Sequence, residues 1–243
     1  MNEGVRMVDN MIPVFVISLS RSAERREMAC KQMKHLGIEF SFFDAIDGRN
    51  LTEGDIGLVD MVEAKAFSGH ELSPGEIGCA LSHIKLYEMM VAKGIERCVI
   101  LEDDAYLHMH FKKIVDKIAS CNRSDIVFLH HGKAKKWPLL RALPEGYRLA
   151  KYRTPSKGSK RAVLSAAGYI LTLEGAKKLL AKAYPVRMPA DYLTGLLQLT
   201  GVSASGVEPC CLDVDLFATT IDDRAYGHYL EQGADDKQSV SGE

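Results

Sequence analysis

The sequence predicts a single-domain α/β fold with a mostly parallel central sheet flanked by helices, and three observations carry that prediction. Short β-branched and aliphatic runs such as Val99-Ile100-Leu101 and Ile126-Val127-Phe128-Leu129 have the composition of strands buried on both faces. Segments with helical spacing and helix-start signals separate those runs. Several runs also end in arginines, carboxylates or histidines, at the strand ends where open α/β sheets bind ligands.

The bulk properties narrow the class. With 243 residues, 47% hydrophobic and 26% charged, the chain can bury a full core. A formal net charge of −1 supplies no global field for nucleic acid or an anionic membrane, so such contacts would need a local patch. The six cysteines show no CxxC pairing and several sit in apolar segments, which gives the expectation of reduced thiols and a cytoplasmic location. No run reaches the ~18 apolar residues of a membrane span. Peripheral membrane contact stays open.

Taken in order, residues 1–12 read as a flexible leader and 13–231 as the domain. Pro13 to Leu19 is the first strand, its proline tolerated at the first position. Ser20 or Ser22 is expected to cap a helix that runs to Leu36 and stops at Gly37. Arg21, Arg25 and Arg26 crowd the start of that helix, an end that prefers anions. They mark either an anion site or cations solvated and paired with Glu24 and Glu27. A second strand, Ile38 to Phe43, leads into Asp44-Ala45-Ile46-Asp47-Gly48. Asp44 is placed to accept from a base or ribose or to cap the turn, and Asp47-Gly48 reads as turn chemistry alone.

Residues 49–72 suggest a short helix between Thr52 and Phe67. Ser73-Pro74-Gly75-Glu76 is a capping box for a helix that Lys93-Gly94 closes. Within it, Gly78 and Ser82 permit close approach of a backbone or a ligand, and His83 is either a structural hydrogen-bonded residue or a ligand. Beyond the strand at 98–101, Ala105 to Ala119 predicts an amphipathic helix, and Asp125 to Leu129 another strand ending in His130-His131. Residues 133–161 hold ten Lys or Arg against the single acid Glu145 and several prolines and glycines. That segment is expected to be irregular, a basic loop and candidate lid over an acidic substrate or a plain solvated loop. Trp137 within it could stack on a ring or anchor the loop. Ala162 to Leu171 predicts a strand with room for a ligand beside Ser165-Ala166-Ala167-Gly168; Thr172 caps a helix to Lys182. A helix opens at Met188-Pro189-Ala190-Asp191 and runs to Leu199, Val202 to Val207 is a last strand, and 232–243 reads as a disordered tail.

The chemistry centres on Glu102-Asp103-Asp104 at the end of a buried strand. Alternation along an extended chain sends Glu102 and Asp104 one way and Asp103 the other. Three packed acids repel one another unless a cation or donors compensate, and a hard divalent cation with oxygen ligands would do so. The competing reading is that Asp104 caps the next helix, which accounts for one acid and not for three.

The order of these pieces resembles glycosyltransferase family 25. The resemblance rests on Ile17 to Arg26, Phe43 to Gly48, the Gly75-Glu-Ile-Gly-Cys-Ala-Leu-Ser-His83 run, Ile100 to Asp104, Ala167-Gly-Tyr169 and Pro189-Ala-Asp191. It implies a GT-A-type nucleotide-sugar-binding fold, a UDP-sugar donor, Mn²⁺ or Mg²⁺ held by Glu102, Asp103 and Asp104, and transfer with inversion to a glycan acceptor such as a lipopolysaccharide core. It implies Arg21, Arg25, Asp44, Ser82 and His83 near the donor, and Asp191 as base or as a contact to donor sugar hydroxyls. A non-catalytic binding module of the same fold is the alternative. A metal-dependent phosphotransferase would want a Gly-rich phosphate loop, which the sequence lacks.

Overall fold

A computed structural model describes residues 12–132 and 134–214. The chain enters on β1 (Val14–Ser18), passes through α1 (Ala23–Leu36), and returns as β2 (Ser41–Asp44). A 3₁₀ turn (Gly48–Asn50) and the short helices α2 (Glu53–Gly57) and α3 (Met61–Ser68) precede the long α4 (Pro74–Lys93). β3 (Arg97–Glu102), β4 (Tyr106–Leu107), α5 (Phe111–Cys121) and β5 (Ile126–Phe128) follow. The hairpin β6 (Lys136–Ala142) and β7 (Arg148–Tyr152) comes next, then β8 (Gly168–Thr172) and α6 (Leu173–Ala183). Helices α7 (Ala190–Gly195) and α8 (Leu197–Thr200) and strands β9 (Ala204–Glu208) and β10 (Leu212–Asp213) complete the described residues.

Eight strands form one sheet in the order β2-β1-β3-β8-β5-β9-β7-β6, and β10 pairs with β4 in a small second sheet. The pairings run six of the eight strands in one direction; only β8 and β7 are reversed. The expected α/β sheet with helices on both faces is therefore present. β3 sits inside it, and its side chains alternate between two cores: Cys98 and Ile100 join the core under α4, α6 and α7, while Val99 and Leu101 join that under α1 and α5. No helix among the described residues is long and apolar enough to cross a membrane.

The strongest local signals hold. Ser73 and Glu76 form the capping box of α4, Gly94 takes the left-handed conformation that ends it, and Thr172 caps α6. Gly37 likewise ends α1. The closeness that Gly78 permits is to backbone: a Cβ there would lie 2.6 Å from the Ile46 carbonyl oxygen. Gly48 is held as tightly from the other side, its Cβ position 2.1 Å from the Pro74 carbonyl oxygen. These contacts clamp the loop after β2 onto the first turns of α4.

Five expectations are corrected. Residues 105–110 are not helical: β4 pairs with β10 across the chain, and α5 begins at Phe111 behind His110. The basic segment is irregular only in part: β6 and β7 form a hairpin that extends the sheet edge, while residues 153–161 hold no helix or strand; Pro138 is tolerated in β6 because an edge strand has an unpaired side. Ser22 makes no side-chain cap bond, and Ser20 donates instead to Asp44 at 3.1 Å. The space beside Gly168 is filled by the side chains of Leu212 and Leu101. The helix expected from 188 to 199 breaks at Leu196 into α7 and α8. The proposed leader up to residue 11, Lys133 and the 232–243 tail lie outside the described residues.

Candidate functional site

The strand order reverses at β1: its chain continuation β2 lies on one side and β3 on the other. Both neighbours run parallel to β1, so the carboxyl ends of all three strands meet at this switch point. Ser18, Asp44 and Glu102 are the last residues of those strands.

Glu102 and Asp103 diverge as an extended chain requires. Glu102 turns toward α4, where Oε1 lies 3.2 Å from His83 Nε2 and 3.8 Å from Cys79 Sγ. Asp103 turns toward α1: Ser18 Oγ donates to its Oδ2 at 2.6 Å and an Arg25 guanidinium nitrogen to its Oδ1 at 2.9 Å. The Arg25 and Asp103 side chains are 13% and 10% exposed, so this ion pair is largely withdrawn from water and spans the crevice between β1 and β3. Asp104 occupies the turn that follows, closed by the Ala105 amide donating to the Glu102 carbonyl at 3.2 Å. Gln32 of α1 fixes the exit from that turn, donating to the Ala105 carbonyl and accepting from the Leu107 amide at 2.9 and 2.7 Å.

This geometry removes the helix-cap reading of the acids. Six residues lie between Asp104 and Phe111, the first residue of α5, whose cap position is His110. Of the three acids expected at a cation, Asp103 faces away from Glu102. Each Asp103 oxygen accepts one hydrogen bond, from Ser18 of β1 and from Arg25 of α1, which ties the end of β3 to both elements. Glu102 and Asp104 place carboxylate oxygens at the strand end, and that donor chemistry fits a Mg²⁺- or Mn²⁺-class ion.

Each arginine after β1 meets a carboxylate of a neighbouring strand end: Arg21 with Asp47 at 2.6 Å, Arg25 with Asp103, and Arg26 with Asp44. The sequence-local partner Glu27 instead pairs with Lys31. Arg26 also donates to the Ser18 carbonyl and lies over the Phe42 ring at 4.7 Å. The Arg26 hydrogen bond, helped by Ser20, holds the Asp44 carboxyl below its ordinary value. Asp47 is held lower still by Arg21 and then Arg49, and it accepts from the Arg49 amide to start the 3₁₀ turn. Reading Asp47 as turn chemistry alone is thus corrected. In sequence only its Arg49 partner is near, since Arg21 lies 26 residues away.

Of the remaining predicted residues, Ser82 is fully buried and is not placed to touch a ligand. It accepts from the Ile46 amide at 2.8 Å and donates to the Gly78 carbonyl at 2.6 Å, holding the β2 exit loop. His83 is also fully buried, stacked on Tyr169 with its Nδ1 2.7 Å from the Tyr169 hydroxyl. It reaches the site through Glu102. The adjacent histidines face apart: His130 Nδ1 meets Ser165 Oγ at 2.9 Å, and His131 Nε2 donates to the Val207 carbonyl at 3.0 Å. Burial lowers the His131 pKa. Asp191 lies in the first turn of α7, beyond the Pro189 cap position, on a helix packed against α4 and α6. Ser18, Gln32, Asp47, Cys79 and Tyr169 were not assigned roles from the sequence, because their partners lie many residues away.

The description "Glycosyltransferase family 25 (LPS biosynthesis protein)" matches residues 11–194. A "Glycosyltransferase 25 family member" of Aedes aegypti is 30% identical over 184 residues, covering 69% of this chain and 27% of that protein. A "Probable inactive glycosyltransferase 25 family member 3" of Bos taurus is 31% identical over 73% of this chain and 30% of its own length. "Procollagen galactosyltransferase 1-A" of Xenopus laevis is 27% identical over 73% of this chain and 30% of its own. The matches thus span less than a third of those relatives. The match over most of the domain, with the acidic and arginine clusters at the sheet's switch point, shows that the chain belongs to glycosyltransferase family 25.

Proposed function

We propose that the protein is an inverting, metal-dependent hexosyltransferase that uses a UDP-sugar, with galactose the first choice of sugar. The observation that carries this reading is the convergence at one switch point of two carboxylates with no cap to make, Glu102 and Asp104, and the arginines that follow β1. Family membership and the procollagen galactosyltransferase relative support it.

On this reading Glu102 and Asp104 would hold Mn²⁺ or Mg²⁺, which supplies charge neutralisation to the leaving diphosphate. Arg21, on the more exposed ion pair, would exchange Asp47 for a donor phosphate oxygen, and Arg25 would keep Asp103 and hence the strand ends in place. Asp44, at the rim, would accept from a hydroxyl of the nucleoside. In a single displacement the acceptor oxygen bonds to the anomeric carbon as the bond to the diphosphate breaks. The acceptor proton passes to a base, and Asp191 is assigned that role. The acceptor is a glycan hydroxyl, with an anionic lipopolysaccharide core at the cytoplasmic membrane face as the working choice; the basic β6–β7 hairpin and the family description support that choice.

A non-catalytic module is the second reading, favoured by the inactive family member 3 relative. A panel of nucleotide sugars with Mn²⁺, scored by nucleotide release with and without EDTA, separates the two. Release of UDP that EDTA abolishes is expected. Binding of UDP-sugars with no release under any acceptor supports the inert module, and release that ignores EDTA removes the metal assignment.

A further inference from the structure

Behind Glu102 lies a buried polar chain: Tyr87 hydroxyl to Tyr169 hydroxyl at 2.6 Å, Tyr169 hydroxyl to His83 Nδ1 at 2.7 Å, and His83 Nε2 to Glu102 Oε1 at 3.2 Å. Tyr87, Tyr169 and His83 are all fully buried, so water does not share these bonds. Elementary proton counting fixes their direction. Among the described residues, Tyr87 has one hydrogen-bond partner, the Tyr169 oxygen. If Tyr87 donates to Tyr169, the Tyr169 proton goes to a bare His83 Nδ1, and the ring proton sits on Nε2, aimed at Glu102. Every member is then satisfied. In the reverse direction Nδ1–H donates to Tyr169 and Tyr169 to Tyr87, leaving the Tyr87 proton buried with no acceptor. The neutral form of that reversed chain also sets a bare Nε2 lone pair against a carboxylate oxygen.

We propose that Tyr87, Tyr169 and His83 form a one-way hydrogen-bond relay that holds Glu102 by its Oε1, making Tyr169 and His83 positioning residues for the acidic strand end. Desolvation raises the pKa of both tyrosines, in keeping with their being permanent donors. The relay also decides a competing use of the same atoms. Ligand atoms of Cys79, His83 and Glu102 lie within 4.8 Å of one another, close enough to share a metal ion. A metal there would require a bare Nε2 and so the reversed chain with its stranded Tyr87 proton. The relay therefore assigns this cluster to holding Glu102, and leaves the cation to the outer carboxylates. Only the metal arm of the test below rests on the nucleotide-sugar reading.

The direct measurement is the side-chain ¹⁵N spectrum of His83 in the full chain without metal, assigned by the signal lost in His83→Gln. The expected result is a single Nε2–H tautomer; an Nδ1–H tautomer or a doubly protonated ring overturns the relay. In Tyr169→Phe, checked for native circular dichroism, the single tautomer should be lost. Mn²⁺ binding in the presence of UDP, followed by electron paramagnetic resonance, should weaken about 10-fold in that variant. Tyr87→Phe leaves the Tyr169 donor in place and should keep the tautomer and Mn²⁺ affinity within about twofold of wild type. Unchanged Mn²⁺ affinity in folded Tyr169→Phe overturns the positioning role. Failure of the nucleotide-sugar reading shows separately, as wild type that binds no Mn²⁺ with UDP yet carries the Nε2–H tautomer, a result that upholds the relay.

Discussion

The two ends of the sheet treat cations in opposite ways. At the β2-β1-β3 end, every arginine after β1 meets a carboxylate from another strand end, and the Arg25–Asp103 pair is nearly closed to water. At the β7-β6 end the hairpin is exposed along most of its length: Leu139 is 86% exposed, and the half-exposed Trp137 carries the Arg153 guanidinium over its ring at 4.4 Å. Lys136, paired with Glu208, is the ion-paired cation of that hairpin's strands. The first region is a preorganised charge array in which removing one member exposes another; the second is a surface whose charges act one by one. Substitutions should therefore cost far more at the first than at the second.

The largest effect is expected at Glu102 and Asp104. Glu102→Gln should lower UDP release at least about 100-fold with the fold intact, the scale set by removing one charge-stabilising group from an active site. A loss under about threefold would place the two ends of the sheet on equal terms. Next comes the clamp beneath the array. Gly78→Ala, whose Cβ would meet the Ile46 carbonyl at 2.6 Å, should destabilise the protein by about 1–3 kcal/mol in urea unfolding. An unchanged midpoint would mean that the β2 exit loop is not held by α4.

The third prediction concerns acid. Asp47 and Asp44 have carboxyls lowered in the folded state from an ordinary value of 3.8, chiefly by Arg21 and Arg26 respectively. A depressed carboxyl contributes stability that is fully present above its unfolded value and is lost as pH falls through the folded one. Stability should hold above about pH 5 and fall below about pH 4, and Asp47→Asn should flatten that fall. Wild type and variant with parallel pH profiles would contradict the Arg21–Asp47 pairing. The smallest effect belongs to the hairpin. Reversing Lys135, Lys136 and Lys157 together should raise acceptor KM and leave donor KM nearly unchanged; equal shifts in both would mean that the hairpin and the array are one site.

How much of this was legible in the sequence follows from where each residue's partners lie. The α4 capping box, the Gly37 and Gly94 stops and the Thr172 cap are local, and the sequence alone shows them. The alternation at Glu102 and Asp103 follows from strand geometry and places one on α4 and the other on α1. What misled was non-local. Residues 105–110 have helical spacing yet extend because β10, more than a hundred residues later, pairs with β4. The basic segment carries Pro138 and still forms a strand because it lies at the sheet edge. Ser82 looked like part of a ligand-facing stripe, and the approach that stripe allows is to the loop after β2. Strand alternation separates Asp103 from Glu102 and Asp104 in the sequence itself, but that Asp103 would act as a strut and the other two as a cation pair depends on Ser18 and Arg25, too distant for any spacing rule.

One comparison tests that division: Mn²⁺-dependent UDP release by Asp103→Asn and Asp104→Asn, each titrated with Mn²⁺. Asp104→Asn should lose turnover at every Mn²⁺ concentration, whereas Asp103→Asn should keep its Mn²⁺ dependence and lose thermal stability as Arg25 is left without that carboxylate. Near-normal Mn²⁺-dependent release by Asp104→Asn, or loss of Mn²⁺ dependence in Asp103→Asn alone, would contradict it.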